Sequence, residues 1–579
     1  MTDNNSANAG NSFTNVKSGL SRRRILQSGL GATALGGLAA QPSMAQVPFT
    51  FDAPTSGQSL RGYLGQNSGH PVLGGNRFAR RNKSTRLRMQ AALSYKSDPL
   101  PEQKNNGDEG AYSDKRGSYS KALPHDSLGE VDADAFRRMI RGLTTGRSRD
   151  MERVPLAAAR RLANPLASYK FEMTGVDSHQ TWMRPAPTFL GKETSAEMGE
   201  LYWKALCRDV NFSEYDSNPL ITAAVADLNA FEETVGPKDG GSVTSGTVFR
   251  GETPGDATGP YITQLLFKDI PYGNGRIVQQ YDAPAPGDDF MTTTSDWLGI
   301  QNGVAPTPLT KGGARYITDA RALGEYVHTD FSFQAYLSAA LIILGIPGSF
   351  DIGNIYISST NQGAFVSLGG PDVLDLVTKA GNLALTGAWY QKWLVHRRAR
   401  PEVYGGRLHN QIFGAKDYGL PDEIMNSDAV QRTVSANGSA FLSQAFPEGS
   451  PTHPSYPAGH ATIAGACCTV LKAFFEESMP IPDPVVPDSS GANLVPYFGP
   501  DLTIGGEINK LANNIALGRD WAGVHFRSDG VDGLAVGEQQ AIGLLRDYSL
   551  TYRERFAGFT LTKFDGSRIT IENGVVLSA

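Results

Sequence analysis

From residue 371 to residue 550 the chain is a succession of helix-spaced apolar runs, and this restricts its fold more than any other feature. PDVLDLVTKAGNLALTGAWYQKWLVHRRA (371–399) has a proline at its start and Pro401 just past its end, where that residue is tolerated or stops a helix. GHATIAGACCTVLKAFFEES (459–478), GEINKLANNIALGRD (506–520) and GVDGLAVGEQQAIGLLRDYSL (530–550) repeat the pattern. Upstream, NPLITAAVADLNAFEETV (218–235) and FSFQAYLSAALIILG (331–345) read as helices, the second ended by Gly345, with loop and short strand pieces between them. The tail GFTLTKFDGSRITIENGVVL alternates around Asp565-Gly566 and Asn573-Gly574, the signature of a β-hairpin. The expected fold is mainly α, a helical-bundle architecture with long loops and a small C-terminal β-hairpin. Residues 46–150 are polar and rich in Gly, Ser and Arg, and read as an irregular arm that could contact other subunits. The helical domain follows at 151–579, with its chemistry-bearing half at about 371–550.

Bulk properties exclude some functions. A formal net charge of −5 argues against non-specific binding to nucleic acid. Three cysteines, Cys207, Cys467 and Cys468, cannot make a disulfide framework, and the adjacent pair reads as small apolar packing. The N-terminus carries an address. SRRRILQ (21–27), the Gly/Ala/Leu stretch after it and SMAQ at 43–46 form a basic region, a weakly hydrophobic region and a small-x-small cleavage site. Residues 1–45 are therefore expected to be a twin-arginine-type export signal, with the mature protein periplasmic or extracellular. No later run reaches the length of a membrane span.

Histidine is scarce, 9 in 579 residues, yet His396, His409, His453, His460 and His525 all fall between 396 and 525. Three segments carry them. KWLVHRRARPE holds Lys392, His396 and Arg400 at four-residue intervals, one face of a helix. HPSYPAGHA holds His453, Ala458, Gly459 and His460, with Gly459 just ahead of a helix, where its N–H can point at an anion. GRDWAGVHFRSD holds Arg519, His525 and Asp529, and Asp529 is placed to hold the second ring nitrogen of His525. One lysine and two arginines supply permanent charge and forked donors, and two histidines remain for covalent or proton-transfer work. Each segment alone could be a solvated face or a structural histidine. Together they describe a cage for a phosphate-like tetrahedral oxyanion.

The same order, Lys…Arg-Pro, then Gly-His, then Arg-x5-His-x3-Asp, resembles the vanadium-dependent haloperoxidases and their acid phosphatase relatives. The seven residues between Lys392 and Arg400, the run HRRARPEVYGGRLHN, and His453 seven positions before His460 resemble the algal and cyanobacterial bromoperoxidase type. The likeness covers about 371–550, with a weaker extension at 350–363. It implies one vanadate per subunit, bound to His525 through a ring nitrogen. Lys392, Arg400, Arg519 and the Gly459 N–H would take its oxygens. His460 would be the acid/base that takes a proton from hydrogen peroxide, and Lys392 would polarise the peroxide. His453 and Trp389 would line the halide side, and Asp330 would brace the cage. The implied reaction is oxidation of bromide or iodide by hydrogen peroxide to hypohalous acid, which halogenates an organic acceptor. The likeness also implies a homo-oligomer. Some members carry a structural calcium, for which APGDDF (285–290) is a poor match.

One departure stands out. The motif has serine before Gly-His, where this chain has Ala458. Loss of a hydrogen bond to a charged oxygen would weaken anion binding by about 1.5–3 kcal/mol unless water replaces it. The competing readings are a secreted acid phosphatase, with His525 as nucleophile and His460 as acid, and an anion-binding assembly protein that has lost catalysis.

Overall fold

The computed structural model describes residues 77–578. The export signal expected at 1–45, and the part of the arm from 46 to 76, lie outside the described residues. From Asn82 onward the chain forms one compact unit. At its centre is the helix Gly459–Phe474, buried along almost its whole length. The helices Gly370–Tyr390, Ile504–Trp521 and Arg527–Ser549 pack around it. Cys467 and Cys468 are free thiols inside this core, as their setting in an apolar helix implies.

The contact between Gly459–Phe474 and Arg527–Ser549 is nearly backbone to backbone. A β-carbon on Gly465 would fall 2.1 Å from the carbonyl oxygen of Leu534, and one on Gly537 2.0 Å from that of Thr462. Neither position has room for any side chain, so two glycines fix how closely these helices approach.

The upstream helices are Pro219–Leu228 and Gln334–Leu344, the second followed by Gly345. The first is shorter than its apolar spacing suggests, because Asn229 caps it. Among the described residues, three short two-stranded ribbons lie in the connecting regions. At the C-terminus the expected hairpin is one strand larger. Phe559–Thr562, Arg568–Glu572 and Val575–Ser578 form an antiparallel three-stranded sheet. The third strand arises because Asn573 and Gly574 both take positive φ (48° and 82°), the turn that returns a strand directly. Among the described residues no single helix is long and apolar enough to cross a membrane.

Residues 77–150 differ from the irregular arm expected there. They contain the helices Arg77–Ser97 and Ala133–Thr145 and the single turns Asp108–Ala111 and Ser148–Met151. Ala133–Thr145 has a capped start, with the Asp132 carboxylate accepting from the Ala135 N–H at 2.8 Å. Its Phe136, Met139 and Leu143 pack with Tyr119, Leu123 and Trp393 in a small satellite core. High polarity masked this short apolar stripe.

The same region braces the site. The Tyr119 N–H donates to the Arg397 carbonyl at 2.8 Å, and the Ala399 N–H to the Gly117 carbonyl at 3.0 Å. Lys121 is buried, and its ammonium donates to Glu402 Oε1 (2.7 Å) and to the carbonyls of Glu448 (2.8 Å) and Ser450 (2.7 Å). Lys121→Met would leave the Glu402 carboxylate without its buried countercharge. The expected loss is about 3–5 kcal/mol of stability, measured by urea unfolding.

Candidate active site

The helix that begins at Gly370 does not continue through Arg400. After Tyr390 it widens into a π-helical turn, Gln391–His396, and Arg397 takes a left-handed conformation (φ 46°). Arg400 then caps the next helix, Pro401–Ile412, with Pro401 in its first turn. Lys392 and Arg400 therefore arrive from two elements, not from one helical face as their spacing suggests. His396 is turned aside. Its ring lies edge-on to Tyr456 at 4.8 Å, makes no hydrogen bond, and burial pushes its pKa down to about 3.

Three chain segments nonetheless meet around one cavity of about 140 Å³. Its wall includes Asp330, Trp389, His453, Gly459, His460, Arg519 and His525. Gly459 is the first residue of the central helix, so the positive end of that helix opens on the cavity. Lys392 and Arg400 lie immediately behind the wall. The Lys392 ammonium donates to the carbonyls of Pro454 (2.6 Å) and Ser455 (2.8 Å). Arg400 donates to the carbonyls of His453 (3.0 Å) and Val524 (2.7 Å), to His453 Nδ1 (3.0 Å) and to His525 Nε2 (2.8 Å).

That last contact fixes the state of His525. A guanidinium can only donate, so Nε2 accepts and carries a lone pair. The proton is then on Nδ1, which donates to Asp529 Oδ2 at 2.9 Å. Burial and the charges of Arg400, Lys392 and Arg519 hold His525 well below the usual imidazole range. His453 is held down by burial, Lys392 and Arg400. Its ring packs 4.8 Å from that of Trp389, whose indole N–H donates to the Ala163 carbonyl at 3.1 Å.

Asp529 is the hub of the site. Besides His525 it accepts from the Phe526 N–H (3.0 Å), from Arg398 (2.8 Å) and from the Ser455 hydroxyl. The Asp529 carbonyl also accepts from the Ala458 N–H at 2.8 Å, which ties the starts of the two glycine-contacting helices together. On the opposite wall Asp330 Oδ1 is 2.9 Å from His460 Nε2, and His460 is the most exposed of the site's imidazoles, at 31%.

The electrostatics call for an anion. Lys392, Arg400 and Arg519 are all buried. Burial, with Arg400 and Arg519, drives Lys392 well below the usual ammonium range despite the opposing pull of Asp529. Burial pulls Arg400 and Arg519 down to about 10. Asp529 already serves Arg398 and His525, and Arg519 Nε is buried without a partner. A tetrahedral oxyanion in the cavity would supply acceptors and neutralise this excess charge. The unprotonated Nε2 of His525 is a suitable ligand for a metal at its centre. These residues therefore fit vanadate.

Some supporting residues carry no signal of their own in the sequence. Arg398, in the middle of HRRAR, bridges Asp529 to the buried carboxylate of Glu197 (3.0 Å) and lies 3.8 Å over the Phe526 ring. Ser455, Lys121 and Ala163 contribute through contacts that depend wholly on the fold. In the acidic loop at 285–290, Asp289 pairs with Arg208 and with Arg321 (3.1 Å).

The family model described as the VCPO second helical-bundle domain matches residues 375–549. A vanadium-dependent bromoperoxidase of Ascophyllum nodosum is 35% identical over 503 residues, covering 81% of this chain and 89% of that protein. One from Corallina officinalis is 36% identical over 543 residues, covering 78% and 90%. The chain also resembles the solved homohexameric structure of the second vanadate-dependent bromoperoxidase from Ascophyllum nodosum. That match has a TM-score of 0.82 and 27% identity, and covers 89% of this chain and 96% of that one.

Proposed function

The chain belongs to the vanadium-dependent bromoperoxidases and is a vanadate-dependent halide peroxidase, and we propose that it oxidises bromide and iodide with hydrogen peroxide to hypohalous acid, which halogenates an organic acceptor. The observation that carries this reading is the pairing of a buried, undercompensated set of three cations with an unprotonated His525 Nε2 at one small cavity.

In this reading His525 Nε2 binds vanadium, and Lys392, Arg400, Arg519 and the Gly459 N–H hold the oxygens. Vanadate, when bound, supplies a Lewis-acidic centre that activates hydrogen peroxide toward halide. Asp529 keeps the His525 proton on Nδ1 and so keeps Nε2 unprotonated, and vanadium there would take the place of the Arg400 contact. His460, paired with Asp330, accepts a proton from incoming peroxide and passes it on. His453 and Trp389 form the halide-facing wall, and the narrowness of the cavity limits water around the anion. We further propose export through the Ser21–Gln27 signal and assembly as a homo-oligomer, which the homohexameric neighbour supports.

The test is a paired assay on metal-stripped protein. Bromide- and iodide-dependent halogenation is measured before and after addition of orthovanadate, alongside hydrolysis of a chromogenic phosphate ester. Halogenation that appears only with vanadate supports the proposal. Efficient ester cleavage without halide oxidation would overturn it.

Ala458 gives a graded prediction. It caps the central helix, yet has no side chain to accept from the first-turn N–H groups. Ala458→Ser adds a hydroxyl at that point, next to the Gly459 N–H. The expected result is about tenfold tighter vanadate binding, the size of one hydrogen bond to a charged group, read by vanadate titration of stripped protein. Unchanged affinity would mean that water already fills the role.

A further inference from the structure

His328 lies outside the constellation described so far. It is the next-to-last residue of the helix Ala320–Thr329. Its Nδ1 is 2.9 Å from Glu325 Oε2, and its Nε2 is 2.9 Å from Glu448 Oε1. A carboxylate only accepts, so both ring nitrogens must donate. A neutral imidazole can donate from one nitrogen only, and the geometry therefore describes an imidazolium. The ring also stacks on Phe446 at 3.9 Å and 10°. Phe446 in turn lies against the Arg519 guanidinium, 5.1 Å from its ring centroid. Val327, the neighbour of His328, supplies the carbonyl that accepts from Arg519 Nη1 at 2.6 Å.

We propose that His328 is a positioning residue for the oxyanion site: by bridging Glu325 and Glu448 it holds Phe446 and Val327 on Arg519, and so fixes the guanidinium at the cavity. The inference rests on the reading of that cavity as the vanadate site. Arg519 has one backbone acceptor and one aromatic face, while its Nε is left without a partner. Such a side chain has little of its own to hold it until an anion arrives. The clamp supplies the missing restraint by joining the end of the Ala320–Thr329 helix to the loop at 446–450.

The charges around His328 favour the protonated ring. Glu325 faces it from its own helix and is also paired with Lys311 at 3.2 Å. Glu448 faces it from the loop, where the Glu448 carbonyl accepts from Lys121 (2.8 Å) and Arg160 (3.2 Å). Arg519 lies across Phe446, and Asp330 follows two residues later. Burial alone would lower the His328 pKa, but the hydrogen bonds to Glu325 and Glu448 outweigh it and the net shift is upward. Its folded pKa thus lies above the unfolded value. The imidazolium's contribution to the clamp is full below the unfolded imidazole pKa and is lost as pH rises through the folded pKa.

The experiment measures vanadate binding to stripped protein by equilibrium dialysis, with no turnover involved. His328→Phe keeps a ring for stacking and removes both bridges. Its affinity at about pH 6 is expected to fall about 10- to 100-fold, the range for loss of a group that orients a metal-site ligand. His328→Arg restores a permanent charge. It is expected to recover part of the affinity and to keep it at about pH 9, above the ordinary imidazole range. Comparison with the wild type at each pH removes the titration of the anion itself. Affinities of both variants within twofold of wild type at both pH values overturn the clamp. If thermal melting shows that His328→Phe does not fold, Glu448→Gln replaces it, with the same direction expected and the same result against it. A wild-type protein that binds no vanadate overturns the site reading, and the clamp with it.

Discussion

His525→Ala is expected to leave a folded protein that retains no vanadium and oxidises no halide. The imidazole supplies an unprotonated nitrogen that faces both Arg400 and the cavity, and its lone pair is guaranteed by the Nδ1–H donated to Asp529 on the other side. Loss of a group that merely orients a ligand costs about 10- to 100-fold in metal affinity, so loss of the ligand itself should exceed about 100-fold. The fold should tolerate the change. Asp529 keeps Arg398, Ser455 and the Phe526 N–H, and Arg400 keeps the carbonyls of His453 and Val524. The check is vanadium per subunit after gel filtration in excess vanadate, with halogenation measured on the same sample. Full peroxidase activity in this variant would falsify the ligand assignment.

His460→Ala separates binding from catalysis. The expected outcome is vanadium content equal to wild type and a drop in kcat of about 10²- to 10⁴-fold, the usual worth of a positioned acid/base group. In the proposed site the anion is held by cations on other segments, none of which bonds to His460. The imidazole pairs instead with Asp330, whose charge is still offset by Arg519 after the substitution. The two alanine variants should therefore fail differently, one in metal analysis and the other only in turnover. Should His460→Ala also lose vanadium, His460 belongs to the cage and another group moves the proton.

The bundle was legible because its evidence is local. Apolar spacing, prolines at helix starts and Gly345 mark helices without reference to the rest of the chain. The three site segments were legible for a chemical reason: few other arrangements use Lys, Arg and His so densely next to buried helices. What failed was continuity. The spacing of Lys392, His396 and Arg400 is that of one helical face, and no residue type announces a π-helical turn or a left-handed Arg397. His396, which that spacing sets on the same face as Lys392 and Arg400, is turned away from the site. The supporting partners were illegible for another reason. Lys121 and Glu402 lie 281 positions apart, and Arg398 and Glu197 201 apart, so neither pair shows any local pattern. The short apolar stripe of Ala133–Thr145 was outweighed by the charged residues around it.

The glycine contacts between the helices Gly459–Phe474 and Arg527–Ser549 bear on more than packing. His460 stands at the start of one helix, and His525 and Asp529 at the start of the other. Side chains that set such a spacing can hop between rotamers. Here the gauge is peptide against peptide, at Gly465 on Leu534 and Gly537 on Thr462. The proposed proton-transfer group and the proposed metal ligand are thus mounted on one caliper whose jaws have no adjustable part. Substitutions elsewhere in the core can loosen the protein as a whole while leaving that calibration untouched. A single methyl group at Gly465 or Gly537 would change it directly.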